Sequence, residues 1–465
     1  MNLLIGLVIL LCLVCSELHA VEAVNDLSLR LLMVAVVSLT VPGLALFQML
    51  LVSQRLRDQD VPEVQKQSII RRLSVCHSAV WLSASLAIIY AVRWQDIVRG
   101  NWTLDRWPLL DELFILAPVV LSLVASWAIF YEIQHTSESG RERQRVFDFN
   151  NLRKRIGFVS IRIRVYFLMV LIPISLAVLA RDIAPWTNNL SPVASTIFYS
   201  ISGLIVIAGF PFLLLLIWKN ERVGDVSLRQ ELVGLCKHHR LYVYDVRIWK
   251  TGHRIVNALV AGIIPGFRVI LLSDSLVKLF PKNELLAVVR HESGHLRLWH
   301  LPLRISFIVL PLIALTIDEA NPVGFLSGIE SLTAQLNLPS GSGLVLVAVT
   351  YTLYLLVNLT WLSHQMEFEA DIFACQFDSN PDGSATTDSQ CAGDMCDALL
   401  RLASITPNQF DRQTLMHPSI EARILLIKEI QDSPEKAERF RTSFARRRRI
   451  VLAILVAICV FALSI

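Results

Sequence analysis

Long apolar runs, almost free of charge, recur along this 465-residue chain, at 1–16, 31–53, 73–92, 113–131, 165–180, 194–217, 302–317, 343–362 and 450–465. About 20 consecutive apolar residues cross a bilayer as a helix, which satisfies its own backbone hydrogen bonds where there is no water. The runs predict a mainly α fold, a polytopic membrane helix bundle of about 8–9 spans. Runs 165–180 and 302–317 are short, and each spans only with Arg164, Arg181 or Arg304 snorkelling to the interface. The composition agrees, at 54% hydrophobic and 18% charged residues, well above the apolar share of soluble domains. A net charge of +4 with the basic residues beside apolar runs implies a lipid bilayer as partner and no nucleic acid.

The first run lacks a basic n-region, yet His19-Ala20 and Glu22-Ala23 offer small-residue cleavage points. Residues 1–22 are therefore either a signal peptide or an N-terminal anchor. Lys and Arg in short loops set the orientation. Loop 54–72 holds Arg55, Arg57, Lys66, Arg71 and Arg72, and 132–164 holds eight basic residues, whereas 93–112 has three and 182–193 and 318–342 have none. This alternation puts 54–72, 132–164, 218–301 and 363–449 on the cytoplasmic side, with a bacterial inner membrane as the expected setting. The expected layout is a helix bundle at 23–217, a domain at 218–448 interrupted by spans 302–317 and 343–362, and a C-terminal anchor at 449–465. Arg446 to Arg449 flank that anchor as positive-inside residues.

Chemistry concentrates in His291-Glu292-Ser293-Gly294-His295, an HExxH string. Four residues apart on a helix, His291 and His295 project from one face and can share one metal ion, Zn²⁺. Glu292 then stands where a base takes a proton from the attacking water. Glu284 to His300 reads as one helix, following the start signals Pro281 and Asn283, and Gly294 as leaving room above the metal. His300 does not fit the spacing of a third histidine ligand. Ser363 to Phe377 has helical pattern and places Glu367 and Asp371 on one face, with Ala370 and Ala374 small enough for close approach. Glu367 can complete the metal's ligand set, and Asp371 can hold a ligand histidine through its other ring nitrogen. Glu369 reads as an ordinary charged face residue. Two runs, 302–317 and 343–362, separate His295 from Glu367, and two crossings return the chain to its starting side.

Val243 to Ile424 resembles the membrane zinc metalloprotease family of the type I CAAX prenyl protease and HtpX. The resemblance rests on Asn257-Ala258, Glu284-Leu285 leading into HExxH, the EFEAD string at 367–371 and HPSIEARI at 417–424. It implies a cytoplasmic gluzincin-type α+β catalytic domain, one zinc held by His291, His295 and Glu367, Glu292 as base and Asp371 behind the ligands. The family has Ser-Arg before its third ligand, whereas this chain has Ser363-His364, and run 450–465 is an addition.

Leu241–Trp249, Ile255–Val260 and Arg268–Leu272 read as a small β-sheet with a turn at Gly262–Gly266. One strand, with Arg268–Leu272 as the segment to test, either offers an edge to substrate backbone or serves packing alone. His417, at a helix start, either donates a hydrogen bond to a reaction oxyanion or caps the helix. Arg423 reads as a brace for acidic groups. Residues 376–396 read as a mobile polar insertion, and its Cys391 and Cys396 lack a second pair with which to hold a metal. The reading is an integral-membrane zinc endopeptidase acting on protein or peptide substrates. The alternative is an inactive membrane scaffold retaining the protease fold. An intramembrane protease needs HExxH inside an apolar run, which is not the case here, and a transporter needs charges in its spans, whereas spans 31–53, 194–217 and 343–362 carry none.

Overall fold

Where the computed structural model describes them, the apolar runs are helical. The structure describes residues 26–58, 61–107, 109–139, 149–168, 191–238, 241–253, 255–319, 325–338, 342–376, 389–405 and 410–464, with scattered positions at 5–16 and 171–179. The rest of run 1–16 and of run 165–180, and the loop at 182–190, lie outside the described residues. The chain divides into two compact units, Met1–Ser200 with Asn337–Ser342, and Ile201–Leu336 with Gly343–Ile465.

The first unit is built on α1 (Leu27–Arg57), α2 (Glu63–Leu86) and α3 (Leu110–Ser139), followed by α4 (Phe149–Arg162). Asp26 caps α1, accepting from the backbone N–H groups of Ser28 and Leu29, as short acidic side chains do at helix starts. Its core joins Val41, Trp81, Ile88, Ile115, Val119 and Trp127, and the Trp81 indole donates to the Val119 carbonyl at 2.9 Å. Leu27–Ser53, Ser68–Ala91 and Leu110–Glu132 are each long and apolar enough to cross a membrane. They coincide with runs 31–53, 73–92 and 113–131. Leu32, Leu39, Leu50 and Leu121 face outward, where acyl chains would cover them.

The helix α5 (Pro192–Ile217) leads into the second unit, which holds a four-stranded sheet: β1 (Asn220–Arg222), β2 (Val243–Trp249), β3 (Ala258–Ala261) and β4 (Arg268–Ser273), in the order β1-β2-β4-β3. Strands β2 and β4 are parallel, with β1 and β3 antiparallel on the outside. All six residues of β4 are buried, as expected for a strand covered on both faces. The segment 268–272 is therefore no edge; β1 and β3 are the edge strands. The β3–β4 turn needs glycine at 262, where φ is +104° and a Cβ would lie 2.8 Å from Pro211 Cγ.

Helix α6 (Val226–His238) lies between β1 and β2 in sequence, and α7 (Asp274–Leu279) and α8 (Lys282–Arg297) follow β4. Leu285, Val289 and Leu296 of α8 join Val246, Ile270 and Leu272 of the sheet in one core. Each such burial stabilises by about 1.5–3 kcal/mol. The next helices are α9 (His300–Glu319), α10 (Phe325–Gln335), α11 (Ser342–Cys375), α12 (Ser389–Ile405), α13 (Ile420–Asp432) and α14 (Pro434–Ser464). The hydroxyls of Tyr351 and Tyr354 on α11 donate to the Ile308 and Phe307 carbonyls of α9, at 2.8 and 3.1 Å. Phe444 of α14 packs with Phe307, Leu362 and Met366.

Candidate metal centre

Helix α8 presents three stripes. Leu285, Val289 and Leu296 face the sheet, Ala287 joins the core of α12 and α13, and His291 and His295, one turn apart, face α11. Gly294 allows that last approach. A Cβ there would sit 3.1 Å from Phe373 Cδ1 and 3.2 Å from Ala370 Cα. The glycine is thus filled by α11 and does not open space above a metal, and Ala370 has the small side chain this contact requires.

Across this contact the Nε2 atoms of His291 and His295 lie 3.2 Å apart. His291 Nε2 is 3.5 Å from Glu367 Oε2, and His295 Nε2 is 3.4 Å from Glu367 Oε1. One candidate ligand atom from each residue lies within 4.8 Å of the others. Behind them, His291 Nδ1 donates to Asp371 Oδ1 at 2.8 Å. Arg423 grips the same carboxylate and reaches Glu367 Oε2 with Nη1 at 3.4 Å. Burial raises the Glu367 carboxyl, but hydrogen bonds from His291, His295 and His417 hold it well below the usual range. Asp371 is likewise held down against burial, by Arg423 and His291. Burial disfavours the His291 imidazolium, yet the Asp371 charge and hydrogen bond outweigh it and push the pKa up to about 9.

His417 stands over the third side of this cluster, its Nδ1 3.2 Å from Glu367 Oε2 and its ring 59% exposed. It is not the cap of α13; the Ser419 hydroxyl is, accepting from Ala422 N. The loop carrying it is closed by Thr414, which exchanges hydrogen bonds with the His417 backbone. His364, at the position where the resembling family has arginine, meets the Thr414 carbonyl with Nε2 at 2.7 Å. Glu292 is half-buried beside the two histidines.

Residues 232–431 match the sequence profile of peptidase family M48. This stretch belongs to that family. All of His291, Glu292, His295, Glu367, Asp371, His417 and Arg423 fall within it. In structure the chain is similar to the crystal structure of S. mikatae Ste24p, at 14% identity and a TM-score of 0.49, over 85% of this chain and 98% of that one. A comparison with curated proteins gave no match.

Three further features of the matched stretch differ from the sequence expectation. The segment 284–300 is not one helix. It breaks at Leu298–Trp299, where Trp299 takes a left-handed φ of 59°, and His300 opens α9. From there it turns back on His295, Nδ1 to Nδ1 at 2.8 Å, while its Nε2 meets Glu369 Oε2 at 3.0 Å. Glu369 is accordingly no solvated face residue; it is 4% exposed. Burial holds His300 well below the usual imidazole range and pushes the Glu369 carboxyl up. The expected insertion also ends early, since α12 begins at Ser389, with Cys391 buried and Cys396 half-buried. Residues 377–388 lie outside the described residues.

Proposed function

We propose that this protein is an integral-membrane, zinc-dependent endopeptidase in which His291, His295 and Glu367 hold one Zn²⁺ and Glu292 is the general base. The observation that carries this reading is the spacing of the three donors. Ligands about 2.0–2.1 Å from a tetrahedral centre lie roughly 3.3 Å from each other, and the donor pairs here are 3.2–3.5 Å apart. Two imidazoles and a carboxylate also suit zinc by donor type and leave a fourth position open. Bound there, zinc supplies Lewis-acid polarisation and an acidified water at neutral pH.

The chain's own residues do the rest. Asp371 fixes the tautomer of His291 by accepting from Nδ1, which leaves the Nε2 lone pair for the metal. Arg423 neutralises the buried Asp371 carboxylate behind the ligands and also reaches Glu367. Glu292 takes the proton of the attacking water and hands it to the leaving amine. His417, exposed beside Glu367, donates to the carbonyl oxygen as charge develops there. Strand β3, an edge strand paired with β4 on one side, is the place for substrate backbone to add as a further strand. The basic loops support a cytoplasmic position for this site, where a protein or peptide substrate would reach it.

The test is cleavage of a loosely folded protein by the detergent-purified chain, beside Glu292→Gln, with zinc measured in both. Cleavage that disappears in the variant while zinc stays bound supports the peptidase and its base. Zinc with no cleavage of any protein offered, prenylated or unprenylated, favours the scaffold alternative. Equal cleavage by both proteins removes Glu292 from the mechanism.

A further inference from the structure

His291 and His295 are both candidate ligands through Nε2, and a ligand imidazole needs a fixed orientation at its other nitrogen. His291 obtains it from Asp371. The structure assigns the same task for His295 to a buried pair from two other helices, and we propose that His300 and Glu369 are positioning residues for the zinc site. This inference rests on the zinc reading above.

The hydrogen bonds run in one direction. Glu369 Oε2 meets His300 Nε2 at 3.0 Å, so the carboxylate accepts and Nε2 carries the hydrogen. A neutral ring with its hydrogen on Nε2 has a bare lone pair on Nδ1. That lone pair faces His295 Nδ1 at 2.8 Å and accepts its hydrogen. His295 is thereby held in the tautomer whose Nε2 is free, the atom that lies 3.4 Å from Glu367 Oε1. The chain Glu369–His300–His295 thus does through two bonds what Asp371 does for His291 through one.

The burial of the pair supports a role of this kind. His300 is 2% and Glu369 4% exposed, and taking an acid and an imidazole out of water is unfavourable without compensating hydrogen bonds. Both bonds have ordinary lengths, and the pair spans 69 residues of sequence. Its members come from the first residue of α9 and from the middle of the EFEAD string. Glu369 lies two residues from Glu367, so its side chain leaves α11 on a different face. The same turn of helix therefore provides a candidate ligand on one side and the anchor of the His295 relay on the other. The break at Leu298–Trp299 is what allows His300 to fold back, since a continuous helix would carry residue 300 more than a turn beyond residue 295.

The experiment is zinc affinity by chelator competition on the full detergent-purified chain, with the absorption spectrum of the Co²⁺-loaded protein as second readout. The variants are His300→Ala, Glu369→Leu, Glu369→Gln and, as control, His295→Ala. Glu369→Leu and His300→Ala should weaken zinc binding by about ten- to a hundredfold and shift the Co²⁺ bands, while Glu369→Gln, which keeps an acceptor, should stay within about threefold of the parent. A merely structural glutamate would not produce that split. Should His300→Ala fail to fold, the Glu369 pair of variants still decides. Parent-like affinity and spectra in Glu369→Leu, with His295→Ala unable to bind, would overturn the positioning role alone. Undiminished zinc binding by His295→Ala would instead overturn the zinc reading itself.

Discussion

Arg423 holds Asp371 through both carboxylate oxygens, Nε to Oδ2 at 2.7 Å and Nη2 to Oδ1 at 2.6 Å, with neither residue more than 7% exposed. Removing one partner of a buried pair strands the other charge, at about 3–5 kcal/mol. Arg423→Met should therefore melt well below the parent. Arg423→Met with Asp371→Leu should regain much of that stability, yet still bind zinc weakly because His291 has lost its acceptor. Thermal melts and zinc competition on the two variants check this, and parallel losses in both measurements would contradict it.

Gly294→Ala tests whether helix contact sets the ligand geometry. The added methyl meets Ala370 and Phe373, so α11 must shift by a few tenths of an ångström, taking Glu367 with it. Overpacking of this kind costs about 1–3 kcal/mol. Turnover and zinc affinity should fall together, and a variant with parent-like melting and affinity would show the contact to be slack.

His417→Ala should lower kcat by about a hundred- to a thousandfold, the effect of losing an oxyanion donor. Zinc content should be unchanged. His364→Ala, which releases the Thr414 carbonyl, should lower kcat less and leave zinc in place as well. Steady-state kinetics with metal analysis separates these outcomes from loss of the site.

The high pKa of His291 predicts opposite pH trends with and without metal. In the metal-free site the pKa lies at about 9, against 6.5 for an ordinary imidazole. Zinc must displace that proton, so its affinity should fall about tenfold per pH unit as pH drops from about 9. For the metal-free fold the sign reverses. A raised folded pKa contributes stability that is fully present below about 6.5 and lost as pH rises through about 9. Melting of the chelated protein at pH 6.5, 8 and 9.5 should fall steadily, and a flat profile would count against the Asp371–His291 coupling.

Much of the site was legible because helical spacing translates directly into a shared face. His291 with His295, and Glu367 with Asp371, are each four apart, and the structure brings both pairs to one place. The His300–Glu369 pair was hidden for two physical reasons. Spacing rules for a third histidine test direct ligation only, and His300 acts one bond further out. Glu369 reads as solvated in a helix with a single buried side, whereas α8 and α9 pack on different faces of α11. Strand β1 is three residues long and carries no alternating pattern. The edge position of β3 is a matter of sheet order, which no local pattern contains.

Helix α11 runs unbroken for 34 residues, from the apolar run 343–362 into the acidic string that carries Glu367. At 1.5 Å per residue it is a rod of about 51 Å, with Glu367 roughly 22 Å from the centre of the apolar half. Tilting such a lever by 5° moves its far end by roughly 2 Å, which is as large as a zinc–ligand bond. On the membrane reading, bilayer thickness becomes a tuning parameter for the catalytic geometry. Turnover in vesicles should pass through an optimum with acyl-chain length, and a level response would mean that the lever is clamped by its neighbours.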